Sequence, residues 1–293
     1  MVLASNLELE INEPEYLKLK SSRDCLSGAF ALEEKYDLLI SNFLELEKEC
    51  IDITCENMLK NNGSYLDFFD IRARLNRRVV NLLTASRLYM DHLDQHIKLC
   101  LLEKDEDVKT LFSLQYDGCF EYRFMEALRN YVQHRGLAIH SSSLGGSWTS
   151  KDKKNGELEY KTCIFTHKDE VSLDKSFKRG VANEMPEKVN ILLASRKYIS
   201  SISKTHGELR QLISDNITTS RNIVLERIES FKKQSGGNSI AIAALKINQD
   251  DEVIERVNIL LDWDDVRLHL VNKNKVLHSL GQSYVSSSAY NNN

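Results

Sequence analysis

The chain has 293 residues, of which 28% are charged and 42% are hydrophobic, and its formal net charge is −4 at neutral pH. This length is enough to bury a sizeable core in one domain or two, and the apolar content excludes a largely disordered chain. The negative charge argues against a protein that coats nucleic acid generally, although a local basic groove could still bind RNA.

The first half of the sequence predicts long helices, which the presence of only two prolines favours. Residues 1–30 are mixed and weakly patterned. From about residue 32 to 59, apolar residues recur at steps of three and four and predict one helix. Ser64 is placed to cap a second helix over about 65–101. After a turn near 104–107 comes a third, amphipathic helix, which ends before Gly136.

The pattern changes in the segment after residue 141. Alternating side chains next to Asn155-Gly156 predict a β-hairpin with strands over about 147–153 and 157–166. Helix is expected again after Asn183, with Pro186 in its first turn. It continues to about residue 233, with a break near 205–207.

The C-terminal part contains two runs rich in isoleucine and valine, 239–248 and 252–261, which predict a second hairpin. The alternative is a helix that begins near Glu252 and is capped by Asp250 or Asp251. A short helix over about 264–280 follows, and the polar tail is expected to fray.

Together these elements predict a mainly α fold, α+β overall, as an up-down helical bundle that carries β-hairpin insertions. The expected parts are an N-terminal segment (1–30), a helical unit (31–140), a hairpin insertion (141–182), a second helical hairpin (183–235), and a hairpin with a short helix and tail (236–293).

A faint internal repeat supports two interpretations. Residues 80–89 match residues 189–198 at seven of ten positions, and Arg221-Asn222 echoes Arg129-Asn130. The first interpretation is an ancient duplication, in which the second helical unit is a degenerate repeat that faces the first and forms an internal pseudo-dimer. The second is chance similarity among helix-forming residues, and the short match with unequal spacing slightly favours it.

Three polar residues near the end of the third predicted helix form a candidate catalytic group. They are Arg129, Asn130 and His134. Asn130 and His134 are four residues apart and project from nearly the same side of a helix. A histidine can move protons near neutral pH, and an arginine offers a permanently charged fork for phosphate.

This arrangement resembles the HEPN superfamily, whose mark is an arginine, a polar residue that is often asparagine, a few further residues, and a histidine. The resemblance covers about residues 30–140. It implies a helical bundle that dimerises and acts as a metal-independent endoribonuclease, as in toxin–antitoxin and antiviral defence systems. His134 would be the general acid or base, Arg129 would stabilise charge on the phosphate, and Asn130 would position one of them. RNA ends with 2′,3′-cyclic phosphate would result, and an antitoxin or regulatory protein is a further expected partner.

A rival interpretation is a non-catalytic helical protein that binds a partner protein, RNA or a nucleotide. In that case Arg129 and His134 would serve structure or ligand contacts. Arg135 and His134 near the helix C-terminus would favour the helix dipole without any chemistry. Glu121 or Glu126 could raise the pKa of His134 and orient its ring, although a surface glutamate in an early turn of the helix is the better interpretation.

The candidate RNA-binding residues are cations near the motif or in runs. They are Arg72, Arg74, Arg77, Arg78, Arg135, Lys153 and Lys154. Each run is otherwise explained as a solvated face.

No cofactor and no metal site are expected. His92, His96 and Cys100 have helical spacing for a metal but lack a further ligand, and no P-loop, GxGxxG, HExxH or GxSxG occurs. The six cysteines form no CxxC pair, and neither a secretory signal nor an apolar segment of bilayer length is present. We therefore expect a cytoplasmic protein with reduced cysteines and no membrane partner.

Overall fold

The computed structural model describes residues 8–60, 64–101, 106–152, 154, 156–237 and 242–285. The structure is 68% helical, with eight α-helices and small antiparallel sheets in the described part of the chain. The predicted fold class, mainly α with β-hairpins, is confirmed.

Three of the helices are long, and five are short. The long ones are α1 (Glu13–Leu59), α2 (Tyr65–Cys100) and α7 (Ile191–Gln234). The others are α3 (Glu106–Gly118), α4 (Phe120–His134), α5 (Lys168–Ser172), α6 (Arg179–Glu184) and α8 (Asp262–Lys273), and a 3₁₀ turn covers Leu280–Gln282.

The strands form two antiparallel sheets. In the first, β1 (Ser141–Trp148) pairs with β2 (Leu158–His167), which pairs with β3 (Lys188–Asn190). In the second, β4 (Ala243–Ile247) pairs with β5 (Val253–Asn258).

The chain divides into two compact units, each assembled from three separate stretches. The first unit comprises residues 1–37, 89–108 and 207–275, and the second comprises 38–88, 109–206 and 276–293. The first unit has an apolar core in which Tyr16, Leu19 and Leu26 of α1 pack with both strands of the β4–β5 pair. A bidentate ion pair between Arg210 and Glu33, with N–O distances of 2.8 and 2.6 Å, ties α7 to α1 in this unit.

The second unit contains the motif helix and the three-stranded sheet. Its fully buried side chains include Leu46 and Ile53 of α1, Leu82 of α2, Phe124 of α4 and Tyr198 of α7. Here Arg196 of α7 donates two hydrogen bonds to Glu47 of α1, at 2.6 and 2.7 Å.

The capping of α2 follows its sequence prediction. Ser64 Oγ accepts a hydrogen bond from the Asp67 backbone N–H at 3.1 Å, and the Asp67 carboxylate accepts one from the Ser64 N–H at 3.0 Å. Ser64 therefore begins the helix with a reciprocal pair of caps.

The predicted start of the first helix, near residue 32, is wrong, because α1 begins at Glu13 and crosses the expected boundary at residue 30. The buried face of this segment includes the small residues Ser22, Cys25 and Ala29, so the hydrophobic periodicity of its sequence is weak. At Gly28 a Cβ would lie 2.5 Å from the His96 carbonyl oxygen, so the glycine allows α1 and α2 of the first unit to approach closely.

The first hairpin differs from the prediction in its first strand and its turn. Trp148 pairs with Leu158, so β1 occupies 141–148 and a loop of nine residues replaces a tight Asn-Gly turn. Asn155 lies outside the described residues. The second hairpin is confirmed, and the alternative helix near Glu252 is wrong: Asn248 Oδ1 accepts hydrogen bonds from two backbone N–H groups of the turn.

The helices after residue 183 also differ from expectation. Pro186 follows α6 in extended chain and precedes β3, so it begins no helix. The predicted break near 205–207 is absent, since α7 continues through the fully buried Thr205 and His206. Helix α8 ends at Lys273, where Asn274 is held by a hydrogen bond to Asp37 at 2.7 Å.

Candidate functional site

The candidate motif occupies the last two turns of α4. This helix is amphipathic, and Tyr122, Phe124 and Leu128 on its inner face are buried in the second unit. The Arg135 N–H closes the helix by donating to the Tyr131 carbonyl oxygen at 2.8 Å. The position of the motif is thus set by the packing of the apolar face and by the helix end.

Arg129 is a buried cation with a nearby carboxylate. The residue is 8% exposed. Its Nη2 donates to Asn130 Oδ1 at 2.9 Å, and its Nη1 lies 3.2 Å from Glu126 Oε2. Neither Nε nor Nη1 makes a hydrogen bond with any described residue. The guanidinium is therefore held by Asn130 and by the ion pair with Glu126, while its Nε has no hydrogen-bond acceptor among the described residues.

Glu126 connects Arg129 to a residue far along the chain. The Tyr198 hydroxyl donates to Glu126 Oε1 at 2.5 Å, and the rings of Tyr198 and Tyr122 are 5.1 Å apart. Burial, followed by the charge of Glu126, raises the pKa of Tyr198 well above its ordinary value. The tyrosine therefore stays protonated, and the carboxylate of Glu126 is shared between Tyr198 and Arg129.

His134 has a different environment from Arg129. It is exposed at the last position of α4, and it makes no hydrogen bond or ion pair with the residues described. Glu126 thus approaches Arg129 and not His134, and Asn130 bonds to the arginine. Two surface cavities of the second unit, of about 610 and 340 Å³, are lined by other residues, so the structure brings Arg129 and His134 to no common cavity among these.

Two of the four candidate arginines on α2 are neutralised by α1. Arg74 binds Glu49 at 2.7 Å and Glu56 at 2.9 Å, and Arg78 binds Glu49 at 2.8 Å. Burial opposes ionisation of Glu49, but hydrogen bonds from Arg78 and Arg74 outweigh it and lower the pKa of this carboxyl. These two arginines join helices and offer little free charge to RNA.

The remaining candidate cations are dispersed. Arg77 is exposed and Arg72 is half-buried on α2, while Lys154 is exposed in the β1–β2 loop. Arg135 is bound to Asp174 at 2.6 Å. Lys153 lies outside the described residues. The expected basic groove is therefore reduced to Arg72, Arg77 and Lys154 in the part of the chain described.

A polar cluster follows the motif helix, and of its residues the sequence indicated only His140, as a histidine in a loop whose direction it could not give. Ser141 Oγ lies 2.6 Å from His167 Nε2, and His140 Nδ1 accepts a hydrogen bond from the His167 N–H at 3.0 Å. Burial is the main cause that lowers the pKa of His140. The two histidines are 27 residues apart, and only the β1–β2 register brings them together.

The other sequence features have structural roles in the first unit. Arg221, the echo of Arg129, binds Asp264 and Asp265. His96 is half-buried and has its pKa lowered, chiefly by burial. No group of three histidine, cysteine, aspartate or glutamate side chains suited to a metal occurs among the described residues.

Comparisons with known proteins do not assign the chain to a family. No family model matches the chain, and no curated protein or solved structure matches it either. Within the described segments, no helix has both the length and the apolar character needed to cross a membrane.

Proposed function

We propose that this protein is a metal-independent endoribonuclease of the HEPN type. The observation that carries the proposal is the state of Arg129, whose buried guanidinium keeps Nε without a hydrogen-bond acceptor among the described residues, while Nη1 has only the ion pair with Glu126. Buried donors of this kind ordinarily have partners. A phosphate oxygen is a chemically suitable one.

The proposed reaction needs no group beyond the chain and the RNA. His134, which is exposed, removes the proton from a ribose 2′-hydroxyl. The hydroxyl oxygen attacks the adjacent phosphorus and forms a new P–O bond. The bond from phosphorus to the 5′-oxygen breaks, and the leaving oxygen takes the proton that His134 removed from the 2′-hydroxyl. A 2′,3′-cyclic phosphate end remains.

Arg129 stabilises the negative charge that develops in this reaction, and its neighbours hold Arg129 in position. The guanidinium stabilises the phosphate oxygens as negative charge builds on them. Asn130 fixes its orientation through the 2.9 Å hydrogen bond to Nη2. Glu126 forms an ion pair with the guanidinium, and the Tyr198 hydroxyl donates a hydrogen bond to Glu126. The guanidinium is therefore already oriented when the transition state forms.

The proposal extends to partners and setting. One copy of the motif supplies one arginine and one exposed histidine, so we place RNA cleavage where two motifs meet in a homodimer. Such a nuclease would act in the cytoplasm as a toxin or antiviral effector, and an antitoxin or regulatory protein would restrain it.

The test is cleavage of total RNA by purified protein in the presence of EDTA. We expect wild type to cut and His134→Ala to lose about a hundredfold or more, the loss typical of removing a general acid–base. His278→Ala is the matched control, because His278 is also an exposed histidine of the second unit. Cleavage that EDTA abolishes and that survives in His134→Ala would contradict the proposal.

A second candidate function is favoured by the same buried arginine. Since Arg129 is 8% exposed and lies beside Glu126, it also fits a structural role in a helical protein that binds partners without catalysis. Intact RNA with wild type and the His134→Ala variant alike would make this function the leading one.

A further inference from the structure

The first unit holds two buried cysteines at the place where α1 and α2 approach each other. Cys25 lies on α1, and Cys100 is the last residue of α2. They are 5% and 3% exposed. The Cys100 thiol donates a hydrogen bond to the Cys25 carbonyl oxygen, with its sulfur 3.2 Å from that oxygen. The Cys100 sulfur therefore contacts the backbone of a residue 75 positions earlier in the chain.

Close packing of the two helices makes this contact possible. Gly28 follows Cys25 by about one turn of α1, and a Cβ there would lie 2.5 Å from the His96 carbonyl oxygen and 3.3 Å from Cys100 Sγ. The Asn216 side chain holds the end of α2 by donating to the Cys100 carbonyl oxygen at 2.8 Å. A disulfide needs Cα atoms about 4.4–6.8 Å apart, and helices that touch through a glycine approach more closely than helices separated by two layers of side chains.

Polar groups from two other helices of the first unit surround the Cys25 thiol. The hydroxyl of Ser220 on α7 is within hydrogen-bonding reach of it, and the guanidinium of Arg267 on α8 lies nearby. Arg267 is itself held by Asp264, at 2.5 and 3.1 Å. Cys25 therefore has two kinds of group that stabilise a thiolate, a hydrogen-bond donor and a positive charge.

These neighbours make Cys25 the more easily ionised cysteine of the pair. A hydrogen bond from the Cys100 thiol is the largest influence that lowers the pKa of Cys25, and Ser220 and Arg267 add to it against the effect of burial. The same hydrogen bond, followed by burial, raises the pKa of Cys100. Because the thiolate is the reactive form of cysteine, Cys25 is the nucleophile and Cys100 stays a thiol beside it.

Burial alone does not create this environment. Cys50 of the second unit is 4% exposed, much like the pair, but burial raises its pKa to about 12. Cys50 therefore remains an unreactive thiol at neutral pH, and it provides an internal reference for the reactivity of Cys25.

We propose that Cys25 and Cys100 are a redox-active pair, which hydrogen peroxide converts into a reversible disulfide that fastens α1 to α2 within the first unit. Both thiols are free in the structure described here. The bridge would close a loop of about 75 residues, and a loop of this length restricts the unfolded chain strongly.

The reaction has two steps. The Cys25 thiolate attacks one oxygen of the peroxide, the O–O bond breaks, and the leaving hydroxide takes the proton that the Cys25 thiol released and becomes water. Cys25 is now a sulfenic acid, so it no longer raises the pKa of Cys100 by its charge. The Cys100 sulfur then attacks the Cys25 sulfur, the S–S bond forms, and the hydroxyl of the sulfenic acid leaves with the Cys100 proton as a second water. Two thiols and one peroxide give one disulfide and two waters, and a dithiol reductant reverses the result.

The first test identifies the bridge in the wild-type chain. The folded protein is treated with hydrogen peroxide, unfolded in the presence of iodoacetamide, digested, and analysed by mass spectrometry. We expect a peptide pair joined through Cys25 and Cys100 that dithiothreitol separates, while Cys50 is alkylated as a free thiol. Alkylation of both Cys25 and Cys100 after a treatment that oxidises the exposed Cys55 would overturn the proposal.

The second test assigns the order of the two steps. Cys100→Ser keeps a hydrogen-bond donor but removes the second thiol, so Cys25 should accumulate as a sulfenic acid that dimedone labels. Cys25→Ser should leave Cys100 unlabelled, and Cys50→Ala, the matched control, should form the bridge as wild type does. Labelling of Cys100 in the Cys25→Ser variant would show that Cys25 is not the nucleophile. The first test uses wild type only, so it decides the proposal even if a variant folds poorly.

The third test measures what the bridge does to the fold. The linked protein should melt about 4–16 °C above the reduced protein, given the stabilisation typical of a disulfide and a chain of this size range. Dithiothreitol should return the melting temperature to that of the reduced protein. A linked form that melts at or below the reduced one would show that the bridge distorts the helix pair, and would refute the fastening of α1 to α2. None of these tests uses RNA, so their outcome is separate from that of the proposed nuclease activity.

Discussion

Replacing Arg129 by lysine separates the charge of this residue from its planar, multiply hydrogen-bonding shape. The arginine meets Asn130 at 2.9 Å and Glu126 at 3.2 Å from two different nitrogens. A lysine ammonium keeps the charge but lacks the planar set of donors that the guanidinium has. It can therefore keep a contact with Asn130 or with Glu126, but not both.

The expected effect on stability is modest. A hydrogen bond that involves a charged group contributes about 1.5–3 kcal/mol, and the lysine recovers part of it, so the free energy of unfolding should fall by about 1–2 kcal/mol. At about 2–4 °C for each kcal/mol in chains of this size range, the melting temperature falls by about 2–8 °C. At room temperature the variant remains folded.

The expected effect on catalysis is much larger. If Arg129 stabilises the transition state, the single-turnover rate of RNA cleavage should fall by about 10²–10³, as for the loss of one preorganised donor. RNA affinity should change less, because the interaction strengthens as charge develops. The assay compares melting temperature, RNA affinity and single-turnover rate.

Arg196→Lys is the matched control for this prediction. Arg196 is also 8% exposed and donates two hydrogen bonds to Glu47, but it lies outside the motif. We expect a similar or larger fall in melting temperature with a wild-type cleavage rate. Equal cleavage rates for Arg129→Lys, Arg196→Lys and wild type would refute the role of Arg129 in the transition state.

Two further predictions concern the helices that support the motif. Because hydrogen bonds from Arg78 and Arg74 lower the pKa of Glu49 below its ordinary value of 4.5, the stability from its ionised form is complete above that value and is lost as pH falls through the folded pKa. Glu49→Gln should therefore melt lower than wild type at neutral pH and approach it in acid; a constant difference in thermal melts would contradict this. Asn76→Leu should cost about 1–3 kcal/mol in urea unfolding, because it leaves the buried Ile139 N–H without its acceptor at 3.0 Å; an unchanged midpoint would show that this hydrogen bond contributes nothing.

The strongest periodic patterns predicted their elements well. Helix α2 was expected over 65–101 and occupies 65–100, and the motif helix was placed on the correct segment. In both, large apolar residues recur on one face. The N-terminal part of α1 escaped prediction because Gly28, Cys25 and Ala29 stand where a strong pattern would have large residues. Close backbone packing at Gly28 and the buried side chains of Tyr16, Leu19 and Leu26 together hold that segment.

The motif residues were predictable, but their environment was not. Spacing alone singled out Arg129 and His134. The Tyr198 hydroxyl that shares Glu126 lies 72 residues away, and no local pattern marks such a contact. The charge runs also failed to predict which cations are free to bind RNA. Arg74 and Arg78 look like part of a basic surface in the sequence, but in the structure both form ion pairs with Glu49 of α1.

The assembly of each unit from separate stretches of chain has a consequence for synthesis on the ribosome. The first unit needs residues 13–37 of α1 and also residues 207–275. At about 5–20 residues per second, residues 38–206 take roughly 10–35 s to be made. During this interval Tyr16, Leu19 and Leu26 lack the strands that cover them in the native core. The nascent chain therefore exposes an apolar helix face for long enough to make chaperone binding, or an early pairing with another chain, a determinant of its folding yield.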